Sequence, residues 1–165
     1  MGTQFTEVYN RFLAKITDDM YMELTPQDTL RDLQNILLEA IPGFEFPRKN
    51  LFNYTLVSIA DNVLEDTSSF NEELSSEEIN ILAILMMINW VQRQVTSIEN
   101  TRMKYSGSDF KFTSQAAHLG KLLNLLTETQ RQSLHMQRLY KRRRTDANGK
   151  YESNWSVLRE TSALD

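Results

Sequence analysis

With 165 residues, 41% of them hydrophobic and 24% charged, the chain has the size and balance of one domain with a real core, which excludes wholesale disorder. It contains no cysteine, so it has neither a disulfide framework nor a thiolate metal site. The net charge of −4 hides a division: residues 1–100 carry 6 Lys/Arg against 16 Asp/Glu, and residues 101–165 carry 12 against 6. Such a molecule is expected to have complementary ends, which could meet an anionic polymer or each other in neighbouring copies.

The opening stretch, MGTQFTEVYNRFLAKI, lacks the basic start and apolar run of a secretory signal. It reads instead as a helix, with Phe5, Val8, Tyr9, Phe12, Leu13 and Ile16 on one stripe and Asn10, Arg11 and Lys15 opposite. A second helix begins at TPQD. Thr25 is its N-cap, Pro26 sits at N1 and Asp28 at N3, and the helix stops at Pro42-Gly43. Aromatics at alternate positions, Phe44/Phe46 and Phe52/Tyr54, predict a short extended excursion around 43–60, with 44–46 pairing 54–59 as a hairpin.

The third helix is the spine. Ser75 and Glu78 form a capping box, and nothing breaks the helix from Glu77 to about Tyr105. Its apolar run INILAILMMINWV (79–91) is 13 residues long, short of the roughly 20 a bilayer requires, and is read as a buried helix and not a membrane span. Its polar second half is expected to project beyond the core. YSGSDFKF then turns the chain. A fourth helix, capped by Thr113 or Ser114, carries Leu119, Leu122, Leu123, Leu126, Leu134 and Tyr140 on or near one face, completing a long antiparallel hairpin. The expected organisation is a mainly α helical bundle over residues 1–144, followed by an extended C-terminal arm, 145–165.

Catalytic chemistry finds little support. His118 and His135 lack a carboxylate or a second histidine at helical spacing, no Gly-rich phosphate loop exists, and the acidic pairs sit at helix ends. The expectation is a non-enzymatic protein with no catalytic residue, metal or cofactor. Two features remain. Arg138, Lys141, Arg142, Arg143 and Arg144 make a basic helix end, which either complements the dipole or faces the phosphates of a nucleic acid. The arm carries Tyr151, Asn154, Trp155, Val157 and Leu158, and a Trp in so polar a segment is either an anchor on a partner or packs back on its own domain.

The stretch LSSEEINILAILMMINWVQRQVTSIENTRMKYSGSDFKFTSQAAHLGKLLNLL, the basic helix end and the Asn-Trp-containing tail together resemble connector (neck or adaptor) proteins at the head–tail junction of tailed bacteriophages, over roughly residues 72–160. The resemblance implies a virion structural protein in a homo-oligomeric, twelve-fold ring beneath the portal protein. Hairpins would stand around a DNA channel, other neck or tail proteins would lie next to it, and the C-terminal arm would dock on the portal. The 43–74 segment departs from a simple helical adaptor and leaves a different neck or tail-completion layer open. Two further readings stand beside it: a small, non-specific nucleic-acid-binding protein using the basic end of the last helix, and a self-contained scaffold of the coiled-hairpin kind.

Overall fold

The structure, a computed structural model, describes residues 2–16, 21, 24–60, 65–104, 112–145 and 151–152. It is mainly helical: α1 (Phe5–Leu13), α2 (Pro26–Ala40), α3 (Ser76–Lys104) and α4 (Phe112–Arg142). Among the described residues there are also two pairs of two-residue strands, β1 (Tyr54–Thr55) with β2 (Ser69–Phe70) and β3 (Arg144–Thr145) with β4 (Tyr151–Glu152).

The caps written in the sequence are made at α2 and α3, whereas α4 begins at Phe112, so Thr113 and Ser114 lie inside it and do not cap it. Thr25 Oγ1 accepts from the Asp28 N–H at 3.2 Å with Pro26 in the first turn of α2. At α3 the Glu78 N–H donates to Ser75 Oγ at 3.3 Å while the Ser75 N–H donates to Glu78 Oε2 at 2.7 Å, so two orphan donors are satisfied reciprocally. The first helix is shorter than its apolar stripe: it ends at Leu13, and Ile16 reaches the core from the turn beyond.

α3 is the centre around which α1, α2 and α4 pack. Ile81, Leu82, Ala83, Ile84, Leu85 and Met86 are all buried, which explains a run that is apolar on every side. The helix has the length and composition to cross a membrane, but its apolar half forms the core of this fold, against Val8, Phe12, Ile36 and Leu37. The distal half leaves that core, and a small separate cluster of Val91, Val95 and Leu119 holds it to α4.

The extended excursion exists, but its partner is not the expected one. β1 runs antiparallel to β2, with Tyr54 opposite Phe70 and Thr55 opposite Ser69. Residues 44–46 form no strand because α4 holds them: Phe44 packs on the Tyr140 ring at 5.4 Å, and the Glu45 N–H donates to Gln137 Oε1 at 2.8 Å. The N-terminal residues take the other edge of β2, where the Phe70 N–H donates to Thr3 O at 2.8 Å and the Phe5 N–H to Ser68 O at 3.0 Å. Gly2 allows this approach, since a Cβ there would lie 1.8 Å from Phe70 O.

Under the small sheet lies a buried polar group. Tyr9 donates to Asp66 Oδ2 at 2.7 Å, and Gln34 Nε2 reaches Asp66, Ser68 Oγ and Val57 O. Burial, then the hydrogen bond to Asp66, push the Tyr9 hydroxyl above the ordinary tyrosine range. These bonds fix 57 and 66–68 onto α1 and α2, so the described parts of the connection between α2 and α3 are held in place without much regular structure.

Candidate functional site

The basic end of α4 is where loop, helix N-terminus and arm come together. Residues Thr129, Ser133, Gln137 and Tyr140 continue the buried stripe begun by Leu119, Leu122 and Leu126, so the helix keeps one face inward while its chemistry turns polar. That polarity is used to hold the 43–50 loop. Gln137 accepts from the Glu45 N–H and donates to Gly43 O at 3.3 Å and Ser133 Oγ at 3.2 Å. By contrast Leu123 and Leu134, expected near the inner face, are 41% exposed and lie on the outer flank.

Tyr140 is the centre of this corner. Its hydroxyl donates to Glu78 Oε1 and accepts from the Arg48 N–H at 3.2 Å. Arg48 spans the helix end, with its guanidinium 4.4 Å from the Tyr140 ring centroid and donating to the carbonyls of Tyr140 and Arg143. A cation there satisfies orphan carbonyls and complements the negative end of the helix dipole. Burial first, then the hydrogen bond and charge of Glu78, raise the Tyr140 hydroxyl above its usual range, against a smaller opposing effect of Arg48. The corner therefore joins α3, α4 and the loop through one buried hydroxyl.

The five basic residues read from the sequence do not act alike. Arg143, though exposed, pairs with Glu77 Oε1 at 2.7 Å. Lys141 Nζ stands 3.8 Å from the centroid of the Phe46 ring. Arg138 and Arg142 are exposed. Arg144 lies in β3, opposite Glu152 of β4. The expected separation of charge into two ends does not occur here, because α4 returns its basic terminus to the acidic start of α3.

Of the arm residues, Tyr151 belongs to β4, opposite Thr145. Asn154, Trp155, Val157 and Leu158 lie outside the described residues. The boundary placed at 144/145 falls within β3, which pairs with β4 directly after α4.

Sequence reasoning missed Arg48, Phe46 and Gln137, since the partners that matter lie more than 90 residues apart. One signal was present: Thr129, Ser133, Gln137 and Tyr140 prolong the heptad-like spacing of the buried leucines. His118 and His135 are both exposed, and among the described residues no three His, Asp or Glu side chains could hold a metal ion. No family model matches the sequence, and neither a curated protein nor a solved structure matches it.

Proposed function

We propose that this chain is a structural virion protein of a tailed phage, forming a ring at the head–tail junction below the portal, around the DNA channel, with its C-terminal arm as the docking element. The observation that carries the reading is the α3–α4 hairpin. Its distal half extends beyond the main core on its own small apolar cluster, with Arg93 paired to Asp32 and Glu39 of α2, and α4 exposes Leu123 and Leu134 on one flank and Leu125 on the other, each about 40%. A helical wall of this kind suits lateral contact between copies. At its base Arg138, Lys141 and Arg142 are exposed beside the β3–β4 pair, so a phosphate backbone in a channel would meet cations without sequence-specific contacts.

Quantitative mass spectrometry of purified, DNA-filled particles tests this. One copy per portal subunit is expected, and absence from finished particles would sink the reading. Trp155→Ala is expected to leave a folded chain that no longer assembles.

A second reading, a small non-specific nucleic-acid-binding protein, gains from Phe46, which places an aromatic ring against Lys141 where the sequence offered no aromatic interleaved with the basic residues. Salt separates the two. A binder using Arg138, Lys141 and Arg142 loses affinity steeply as salt rises and keeps it when Trp155 is removed.

A further inference from the structure

β1 has an open side. Residues 53, 55 and 57 direct their backbone groups inward: Asn53 O accepts from the Asn71 N–H at 3.0 Å, Thr55 pairs with Ser69, and the Val57 N–H donates to Ser68 Oγ at 2.9 Å. Strand alternation therefore points the N–H and C=O groups of Tyr54, Leu56 and Ser58 outward, where none has a partner among the described residues. Around them Phe52 is 67% exposed, Leu56 49% and Val57 38%. Residues 50–60, NLFNYTLVSIA, contain no charge at all. Edge strands that remain in solvent are ordinarily guarded by lysine, proline or a bulge, and an apolar, uncharged edge is a template for another strand.

The chain carries one segment that fits such a template. The described residues end at Glu152 in β4, already in extended conformation, and 13 residues follow. Their first six, SNWSVL (153–158), are uncharged like the edge and place Trp155 and Val157 two apart, on one face of a strand. The 13 residues can span up to roughly 43 Å at ~3.3 Å each, enough to cross between adjacent molecules of this size.

We infer that the outer edge of β1 is the seat of the C-terminal arm of a second copy of this chain, with residues 153–158 adding a strand beside 52–58. The arm then links one ring member to the next, and residues 159–165 remain for a contact beyond it. This deepens the ring reading and rests on it for the nearness of a second copy, but purified protein suffices to test it.

A nitrogen-15-labelled chain ending at Glu152 is mixed with an excess of unlabelled full chain, and amide exchange is followed in the labelled peptide covering 52–58. Exchange at Tyr54 and Leu56 is expected to slow by about tenfold or more, as when an exposed amide gains a main-chain partner. An excess of full chain carrying Trp155→Asp is expected to leave it unchanged. Circular dichroism checks that the shortened chain folds; should it not, labelled full-length Trp155→Asp serves as the recipient. Unchanged exchange with the full chain overturns the inference. So does protection in the full chain alone that persists, undiminished, on dilution to monomer, which would put the arm on its own edge. Slowed exchange combined with absence of the chain from finished particles would refute the connector reading while leaving arm exchange intact.

Discussion

Replacing Tyr140 by Phe removes one oxygen and nothing else from the corner that joins α3, α4 and the 43–50 loop. Tyr140 and Glu78 are 1% and 3% exposed, so water cannot easily take the lost hydroxyl's place. Glu78 keeps the Ser75 N–H at 2.7 Å and the Ser75 hydroxyl at 2.8 Å, both on Oε2, while Oε1 loses its donor. A hydrogen bond to a charged group contributes about 1.5–3 kcal/mol, and the Arg48 N–H loses its acceptor in a half-buried position for a smaller further cost. The ring itself remains packed on Phe44 and beneath Arg48, so no cavity term enters. The expected loss is about 2–3 kcal/mol, a fall of roughly 30- to 150-fold in the folded-to-unfolded ratio. Guanidinium denaturation followed by far-ultraviolet circular dichroism at pH 7 measures it, with the denaturant slope unchanged. A loss below about 0.5 kcal/mol would refute the argument that this hydroxyl organises the corner.

Alkaline pH should destabilise the fold through Tyr9 and Tyr140. Both hydroxyls are raised above 10.0 in the folded chain, so above that pH the unfolded chain sheds protons the folded chain retains, and stability falls as pH rises. The two together give a slope of up to about 2.7 kcal/mol per pH unit; Tyr9→Phe with Tyr140→Phe should flatten it, and an unchanged slope would count against the burial of these groups. Gly2→Val drives a side chain into the Phe70 carbonyl and should release residues 2–4 from β2 at a cost of about 1–3 kcal/mol, seen as faster exchange of the Phe70 amide. Leu82→Ala, in the fully buried run of α3, should cost about 2–5 kcal/mol, and Leu134→Ala on the bare flank of α4 less than about 0.5, both by thermal or denaturant melts of the unassembled chain.

The helices were legible in the sequence because their determinants are local: an apolar stripe, a Thr-Pro start, a Ser-Glu capping box. What failed to be legible is long-range. The aromatics at 44 and 46 alternate like a strand, yet Phe44 goes under Tyr140 and Phe46 lies beside Lys141, so the pattern that suggested a hairpin serves two side-chain pairings with α4. β1 found its mate at Ser69–Phe70, where nothing in local composition marks a strand. The candidate site was legible in part. Arg138 and Arg142 stand exposed at the helix end as their charge suggested, whereas Arg143 is turned to Glu77, because charge counted along a chain ignores a helix that comes back to where it started.

α3 belongs to two apolar clusters of unequal size. Its first half is enclosed by three other helices, and its second is held by Val91, Val95 and Leu119 with a few half-buried neighbours. One continuous helix of 29 residues thus carries a gradient of local stability, with opening free energies rising from its distal half towards its base. A ring made of such hairpins would have a rigid hub and a compliant rim. Its rim could follow the width of whatever passes through or binds beneath it while the cores that set the subunit's fold stay closed.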